Sequence, residues 1–211
     1  MAKHIPEDRI SLTSWQREAS AVIDEHAMTV LQGEAGCGKT FVAMYYGTEA
    51  IKAGKYERLV VVRSPLESGR SRMGFLPGGA GADEKMAPWA APILEIAKDL
   101  KWGKEITILP TCYVQGLTFK NAFVIIDECQ NMDITEWESV VTRLGKDSRV
   151  VLAGDWEQDT RNMNGMRPFL DATDGVIGLG YYEFPEEANC RHPLVRDITR
   201  ALRAYRNRNS R

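Results

Sequence analysis

The sequence contains no apolar run long enough to cross a bilayer, since stretches such as residues 123–126 stop after a few residues. The first six residues also lack the apolar core of a signal peptide. These two absences argue against a membrane partner and against export. The cytoplasm is therefore the expected location.

The sequence also has few cysteines and only a small net charge. The four cysteines, Cys37, Cys112, Cys129 and Cys190, are widely spaced and form no C-x-x-C pair. This pattern predicts neither a zinc site nor a disulfide framework, and the thiols are expected in the core. A formal net charge of −2 argues against indiscriminate binding of polyanions, although it is compatible with a local basic patch.

Apolar, strand-like runs alternate with helical stretches along the chain, a pattern typical of a parallel sheet covered by helices. A length of 211 residues favours a single domain, 1–211, of the α/β class. Strands are expected at Met28–Gln32, 59–62, 106–109, 123–126 and 149–153. Between the last two strands, Asp133 and Glu136 form a capping box that starts a helix, and Gly145 is its expected stop.

One segment matches the pattern G-x-x-x-x-G-K-[ST] throughout and lies between a strand-like run and a helical stretch. Its residues are Gly33, Glu34, Ala35, Gly36, Cys37, Gly38, Lys39 and Thr40. The glycines let backbone N–H groups surround phosphate oxygens at the positive end of the following helix. Lys39 would reach the β- and γ-phosphates, and the Thr40 hydroxyl would hold Mg²⁺. The segment predicts binding of a nucleoside triphosphate, and its context disfavours the alternative of a chance glycine turn.

Two adjacent carboxylates follow the apolar run 123–126. Asp127 is expected to assist the magnesium ion, and Glu128 to polarise the water that attacks the γ-phosphate. Adjacent side chains of an extended segment point in opposite directions, so the two acids would have different roles. The alternative is an acidic helix N-terminus, which the same two residues also satisfy.

A third polar segment, 154–158, follows the last predicted strand and contains a glycine, two acids and an amide. Gln158 would donate its amide hydrogens to the γ-phosphate or to the attacking water. The alternative is a polar exit from the strand in which Gln158 is simply solvated.

Together, segments 33–40, 127–130 and 154–158 resemble motifs one, two and three of the first RecA-like domain of superfamily 1 helicases. The chain more closely resembles the PhoH-like ATPases, a phosphate-starvation-inducible family common in bacteria and their phages. The segments that carry this closer resemblance are 62–69, 74–78, 127–131 and 191–195. The resemblance covers about residues 12–205 and implies a RecA-like P-loop fold, ATP hydrolysis and a ring-forming homo-oligomer, with a hexamer as the expected size.

Three residues depart from the usual pattern of that family. Cys37 stands where threonine or serine is frequent, Cys129 where alanine is usual, and Ser64 interrupts a segment that generally reads Arg-Pro. None of these departures removes a predicted phosphate or metal contact.

The resemblance also suggests a role for Gln16, which precedes the phosphate loop at the distance of the adenine-reading glutamine of helicases. Paired hydrogen bonds from its amide to the adenine edge would favour ATP over GTP. In the alternative, Ser14 caps a helix, Trp15 packs inward and Gln16 is exposed.

A helicase of this class has a second RecA-like domain that supplies arginines to the ATP, and a length of 211 residues is expected to leave no room for one. An arginine would then come in trans from a neighbouring subunit of a head-to-tail ring. Arg191, in an Arg-His-Pro segment typical of the family, is the first candidate for this catalytic role, followed by Arg63 and Arg161.

The C-terminal region predicts a basic amphipathic helix at about 193–207. Residues 191–211 hold seven arginines against one acid, Asp197. Such a face could follow the backbone of single-stranded RNA or DNA, and Arg63, Arg70 and Arg72 form a second candidate surface. The alternative is a solvated arginine face without a partner.

The sequence therefore predicts a magnesium-dependent ATPase, interpreted as an oligomeric motor that remodels RNA or another single-stranded nucleic acid. A second hypothesis is a nucleotide-gated, ring-forming interaction protein without unwinding activity. A metabolic kinase is less favoured, because paired acids followed by glutamine suit the activation of water better than transfer to a small acceptor.

Overall fold

The computed structural model of the protein describes residues 10–64, 80–156 and 165–209. Within these ranges, six β-strands and six α-helices alternate along much of the chain. The strands are β1 Met28–Gln32, β2 Arg58–Arg63, β3 Ile106–Pro110, β4 Ala122–Asp127, β5 Arg149–Gly154 and β6 Leu179–Glu183. The helices are α1 Ser14–Glu25, α2 Lys39–Lys52, α3 Ala80–Asp99, α4 Ile134–Val141, α5 Met166–Thr173 and α6 Pro193–Asn209.

All six strands are parallel and form one sheet in the order β3-β2-β4-β5-β1-β6. Strands β4, β5 and β1 are therefore neighbours in the middle of the sheet. Their last residues lie side by side, since Asp127 is opposite Ala153 and Gln32 is opposite Gly154. Because the carboxyl ends of parallel strands share one edge, the loops that follow these three strands meet there.

The sheet has a hydrophobic core on each face. Successive strand residues point to opposite faces, so Ile125 and Ile126 of β4 belong to different cores. One face is covered by α1, α2 and α3, which contribute Ala19, Val42 and Ile93. The other is covered by α4 and α5, which contribute Trp137 and Phe169, two rings stacked 4.2 Å apart. The predicted α/β architecture with helices on both faces is confirmed.

The five predicted strands are all present, with bounds that differ by one residue or none. The sixth strand, β6, was not predicted. It lies at an edge of the sheet, and its sequence LGYYE contains no continuous apolar run. An edge strand buries less of its surface than a central one, so hydrophobicity is a weak signal for it.

Helix α4 begins as predicted and ends earlier. The Asp133 side chain accepts from the Glu136 backbone N–H at 2.9 Å, and the Glu136 carboxylate accepts from the Asp133 N–H at 3.0 Å. The predicted stop at Gly145 is wrong, because the helix ends at Val141. The backbone beyond it bonds to Phe119 instead, and a Cβ at position 145 would overlap the Phe119 carbonyl oxygen. Gly145 thus allows a close backbone approach between two loops.

The predicted C-terminal helix is present as α6 and extends two residues further than expected. Its apolar side chains are between 40% and 65% exposed, which a core-facing helix would not show. These side chains are Leu194, Val195, Ile198, Leu202 and Tyr205. Among the described residues, no helix has the length and apolar character needed to cross a membrane.

The expectation of core thiols holds for two of the four cysteines. Cys37 and Cys129 are buried, whereas Cys112 and Cys190 are exposed. Cys112 lies in a single helical turn after β3, and Cys190 lies in the segment before α6. Both positions are surface connections rather than parts of the sheet, which explains their exposure.

Candidate nucleotide-binding site

The glycine-rich loop lies between the end of β1 at Gln32 and the start of α2 at Lys39. Gly36 and Gly38 have φ angles of +99° and +86°, in the left-handed region that favours glycine. A Cβ at position 38 would lie 2.6 Å from Nε2 of Gln16. Both the backbone and the surrounding space therefore require glycine in this loop.

The Lys39 ammonium folds back over the loop. Nζ donates to the carbonyl oxygens of Gly33, at 2.6 Å, and Glu34, at 3.0 Å, and lies 3.7 Å from Sγ of Cys37. Burial raises the pKa of the Cys37 thiol, so the thiol stays neutral at physiological pH. The loop thus presents a lysine charge that no thiolate neutralises.

Thr40 and Asp127 bring a hydroxyl and a carboxylate together. Thr40 Oγ1 donates to Oδ1 of Asp127 at 2.6 Å, and Nε of Arg63 lies 2.9 Å from Oδ2. Burial raises the pKa of the Asp127 carboxyl, and the Arg63 charge opposes that rise. Oxygen donors of this kind are the ligands that Mg²⁺ prefers, so the pair fits the predicted metal role.

Glu128 has a left-handed backbone, with φ of 54° and ψ of 39°, a conformation that is uncommon for a residue with a side chain. The residue precedes a short 3-10 helix, Cys129–Asn131. Its Oε2 accepts from Nε2 of Gln130 at 2.6 Å. The carboxylate is therefore held by a neighbouring amide, which differs from the alternative of an acid that caps a helix.

Gln130 links this acid to the adjacent strand. The side chain is buried, and its Oε1 accepts from the backbone N–H of Asp155 at 3.1 Å. A separate role for Gln130 was not predicted from the sequence, where it is only one residue of the 127–131 segment. The Asp-Glu-x-Gln spacing is the signal that could have identified it.

The Arg191 side chain lies against the glycine-rich loop of its own chain. A Cβ at Gly36 would be 2.7 to 2.8 Å from Cγ, Cδ and Nε of Arg191. The N–H of the preceding residue, Cys190, donates to the Gly36 carbonyl at 3.0 Å. The returning backbone thus holds Arg191 beside the loop of its own chain, and its supply to a neighbouring subunit stays a prediction.

These groups surround a cavity of about 240 Å³ at the carboxyl edge of the sheet. Its lining combines two cationic side chains, three carboxylates, and small residues that leave backbone accessible. The lining residues are Ala35, Gly36, Gly38, Lys39, Thr40, Phe41, Ile96, Asp127, Glu128, Ala153, Gly154, Asp155 and Arg191.

Gln16 lies beside the loop, and the alternative in which Ser14 caps α1 and Gln16 is exposed is wrong. Thr13, not Ser14, caps α1, and Gln16 completes the capping box through Oε1, which accepts from the Thr13 N–H at 3.0 Å. Gln16 is buried rather than exposed, with Nε2 close to Gly38. In a paired contact with adenine, Oε1 would accept a second hydrogen bond beside the one from the Thr13 N–H, and Nε2 would donate.

The remaining predicted residues are divided between described and undescribed parts of the chain. Gln158, Arg161, Arg70 and Arg72 lie outside the described residues. Arg63 is described, with a side chain only 14% exposed. Besides Asp127, it donates to the Trp89 carbonyl and lies 5.6 Å from the Trp89 ring centroid. This burial contradicts its proposed use as a surface arginine for a neighbour or a nucleic acid.

The parallel sheet, and the glycine-rich loop that joins its strand β1 to helix α2, define a RecA-like P-loop fold. The comparison with known families agrees, since the profile described as PhoH-like protein matches residues 10–203. The chain belongs to the PhoH-like family.

Two relatives show the extent of this similarity. The chain is 32% identical over 204 residues to a PhoH-like protein of Synechocystis sp., covering 91% of this chain and 61% of the relative. It is 34% identical over 198 residues to Protein PhoH of Escherichia coli K12, covering 87% of this chain and 54% of the relative. The chain thus spans less than two thirds of the length of either relative.

A solved structure shows the same fold at much lower identity. The large terminase of a thermophilic bacteriophage matches with a TM-score of 0.55 and 13% identity, over 88% of this chain and 47% of the terminase. The structure of that terminase in complex with ADP matches with a TM-score of 0.52 and 14% identity, over the same shares. This similarity concerns the fold alone.

Proposed function

We propose that the chain is a magnesium-dependent ATPase that hydrolyses the β–γ bond of ATP. One observation carries the proposal: the ends of β1, β4 and β5 bring Lys39, the Thr40–Asp127 pair and Glu128 into one cavity. A loop that only turned the chain would not need a lysine, a hydroxyl and two acids in that space.

Phosphate binding would begin with an exchange of partners at Lys39. Its ammonium now donates to the Gly33 and Glu34 carbonyls, and phosphate oxygens would replace them as stronger, charged acceptors. The N–H groups of the loop and the N-terminus of α2 add further donors. Thr40 and Asp127 would hold Mg²⁺, which neutralises charge on the β- and γ-phosphate oxygens when bound.

Glu128 is the proposed general base. It would take a proton from water as the water oxygen bonds to the γ-phosphorus and the bond to the β–γ bridging oxygen breaks, releasing ADP and inorganic phosphate. Lys39 would stabilise the charge on the leaving oxygens. Gln158 is proposed to contact the γ-phosphate or the water.

Steady-state ATP hydrolysis tests this proposal directly. Glu128→Gln removes the base while keeping the size of the side chain, so it should bind ATP and hydrolyse it about 10²- to 10⁴-fold more slowly. Lys39→Ala should weaken binding itself. Wild-type protein that binds no nucleotide, or a Glu128→Gln variant with full turnover, would contradict the proposal.

The proposed work is remodelling of RNA, or of single-stranded DNA, with α6 as the contact surface. Five arginines on α6 support this choice, whereas Arg63 is committed to an ion pair inside the site. The motor hypothesis expects ATP turnover to rise with single-stranded RNA or DNA. Reversing charge at Arg200 and Arg208 should reduce that rise and flatten its salt dependence.

We also propose that the chain forms a head-to-tail ring, with a hexamer as the expected size. The exposed apolar side chains of α6, such as Leu194, Leu202 and Tyr205, follow edge strand β6, whereas the nucleic acid would contact the arginines of the same helix. Tyr113 is exposed directly after β3, the strand at the other edge of the sheet. A head-to-tail contact between these two edges would cover the apolar side chains of α6 with a second copy.

Light scattering tests this assembly. Leu202→Glu, on the exposed face of α6, should shift the mass toward the monomer, whereas Val176→Glu, exposed in the loop before β6, should not. A wild-type protein that stays monomeric with ATP and with ADP would contradict the ring.

The second candidate is a nucleotide-gated interaction protein in the cytoplasm, and the same α6 face favours it. Here the ATP-bound assembly would recruit a protein and hydrolysis would release it. Turnover that ignores every nucleic acid, together with partner recovery that requires ATP and fails with ADP, would favour this candidate over the motor.

A further inference from the structure

The chain returns to its own phosphate loop just before α6. Residues 189–191, here called the clasp, follow a short 3-10 helix, Glu186–Ala188, and precede Pro193. Nδ2 of Asn189 lies 3.3 Å from the Ala35 carbonyl oxygen and 3.3 Å from a Glu34 carboxylate oxygen. With the bond from the Cys190 N–H to the Gly36 carbonyl, the clasp contacts three consecutive loop residues.

The clasp positions the Arg191 side chain. Oδ1 of Asn189 accepts from the Arg191 N–H at 3.0 Å, which fixes the backbone beside the loop. The aliphatic part of Arg191 then crosses Gly36, where no Cβ stands in the way. Arg191 lines the same cavity as Lys39 and Glu128.

A guanidinium in this place suits a phosphate. Arginine stays charged at any physiological pH and presents five N–H donors in a planar fork that matches phosphate oxygens. Because Arg191 shares the cavity with the proposed base Glu128, the nearest phosphate would be the one that the activated water attacks.

We propose that Arg191 contacts the γ-phosphate of the nucleotide held by its own chain, and is not supplied to a neighbouring subunit. This inference deepens the proposed ATPase function and rests on it. The backbone contacts of the clasp hold Arg191 beside the loop of its own chain, which supports this assignment.

Nucleotide affinity gives the first test. Arg191→Ala should weaken binding of a non-hydrolysable ATP analogue by about tenfold to a hundredfold, the range for a hydrogen bond to a charged group. ADP, which lacks the γ-phosphate, should lose less than about threefold by the same reasoning. Arg191→Lys should recover part of the affinity for the ATP analogue that Arg191→Ala loses. Arg58→Ala, an exposed arginine at the opposite end of β2, is the matched control and should change neither affinity. Equal losses for both nucleotides, or none, would overturn the inference.

A mixing experiment distinguishes an Arg191 that acts within its own chain from one that acts across a subunit interface. Arg191→Ala and Lys39→Ala chains are combined in equal amounts, and ATP turnover is compared with the sum of the separate preparations. If Arg191 acts within its own chain, every site lacks one essential group and the mixture gains nothing. If Arg191 acts across an interface, about a quarter of the sites regain both groups and turnover returns. Regained turnover would overturn the inference, whereas a monomeric protein would agree with it.

Affinity and turnover together distinguish a failure of this inference from a failure of the proposed function. If the wild-type protein prefers the ATP analogue through Arg191 but never hydrolyses ATP, the ATPase proposal is wrong and the Arg191 contact is supported. If the wild-type protein hydrolyses ATP and Arg191→Ala equals it in affinity and turnover, only the Arg191 contact is wrong. Thermal melting of Arg191→Ala checks that its fold is intact.

Discussion

Nε2 of Gln130 lies 2.6 Å from Oε2 of Glu128, while the other end of the same amide accepts from the Asp155 N–H at 3.1 Å. One buried side chain thus joins the proposed base, at the end of β4, to the end of β5. Gln130 acts as a positioning residue, because it orients an acid whose backbone is already in an unusual conformation.

Gln130→Ala should lower kcat for ATP hydrolysis about tenfold or more while KM changes little, because the base loses its orientation but the loop remains. Gln130→Glu should keep the size of the side chain but replace the donor amide with a second carboxylate beside Glu128, so kcat should fall at least as far as in Gln130→Ala. A Gln130→Glu variant with the wild-type kcat would contradict the positioning role.

Gly36→Ala should abolish nucleotide binding. The new Cβ meets both a left-handed backbone and the Arg191 side chain, so the loop must move. Gly54→Ala is the matched control, since Gly54 is also left-handed, at +74°, with no atom of the described residues within 4 Å of its Cβ position. It should lose about 1–2 kcal/mol of unfolding free energy and retain binding, as measured by denaturation and nucleotide titration. Intact binding in Gly36→Ala would show that the loop does not need its present shape.

Arg63→Ala should lower the free energy of unfolding by about 3 kcal/mol or more, because it leaves the buried Asp127 carboxylate without its ion-pair partner. Asp127→Asn in the same background should recover part of that loss. Urea denaturation of the four proteins of this double-mutant cycle measures the coupling. Losses that simply add would indicate that the two groups do not interact.

The same pair predicts a dependence of stability on pH. Burial raises the folded-state pKa of Asp127 above its ordinary value of 3.8, so the folded protein binds the proton more tightly than the unfolded chain. The contribution of Asp127 to the unfolding free energy should fall as pH rises from that value through the raised pKa. Arg63→Ala should extend the fall to higher pH, and Asp127→Asn should remove it. Denaturation of the wild type, Arg63→Ala and Asp127→Asn across acidic pH would show whether their unfolding free energies depend differently on pH.

Gln16→Glu should separate the capping role of Gln16 from its proposed contact with adenine. A glutamate oxygen can still accept from the Thr13 N–H, so the start of α1 should keep its stability. The amide donor is lost, and the ratio of kcat/KM for ATP to that for GTP should fall. Gln16→Ala should lower the same ratio of kcat/KM values and should also lower the free energy of unfolding by about 1 kcal/mol. An unchanged ratio in both variants would limit Gln16 to capping α1.

The parts of the site predicted from sequence are those set by local chemistry. The glycine loop, Lys39, Thr40 and the Asp127–Glu128 pair follow directly from strand ends and turns, so their patterns are visible within a few residues. The contacts of Arg191 were not predictable in this way. Its position depends on the path of the chain after β6, an edge strand with no clear hydrophobic signal.

Arg63 shows a second limit of sequence reasoning. A basic residue at the end of an apolar strand suggests a surface charge, yet pairing of β2 with β4 places Arg63 directly opposite Asp127. That register brings together two residues far apart in sequence and turns an expected surface arginine into a buried partner. Gly145 was misread similarly, because the loop that approaches it contains Phe119, well before it in the chain.

The strand order has a consequence for the nascent protein. Strand β1, which carries the phosphate loop, pairs with β5 and β6, and Met28 lies opposite Val150 and Leu179. A chain still on the ribosome can therefore expose the whole glycine-rich loop before the acids and the clasp that complete its cavity have been synthesised. Nucleotide would stabilise only the finished sheet, so ligand binding favours the last step of folding over any earlier one.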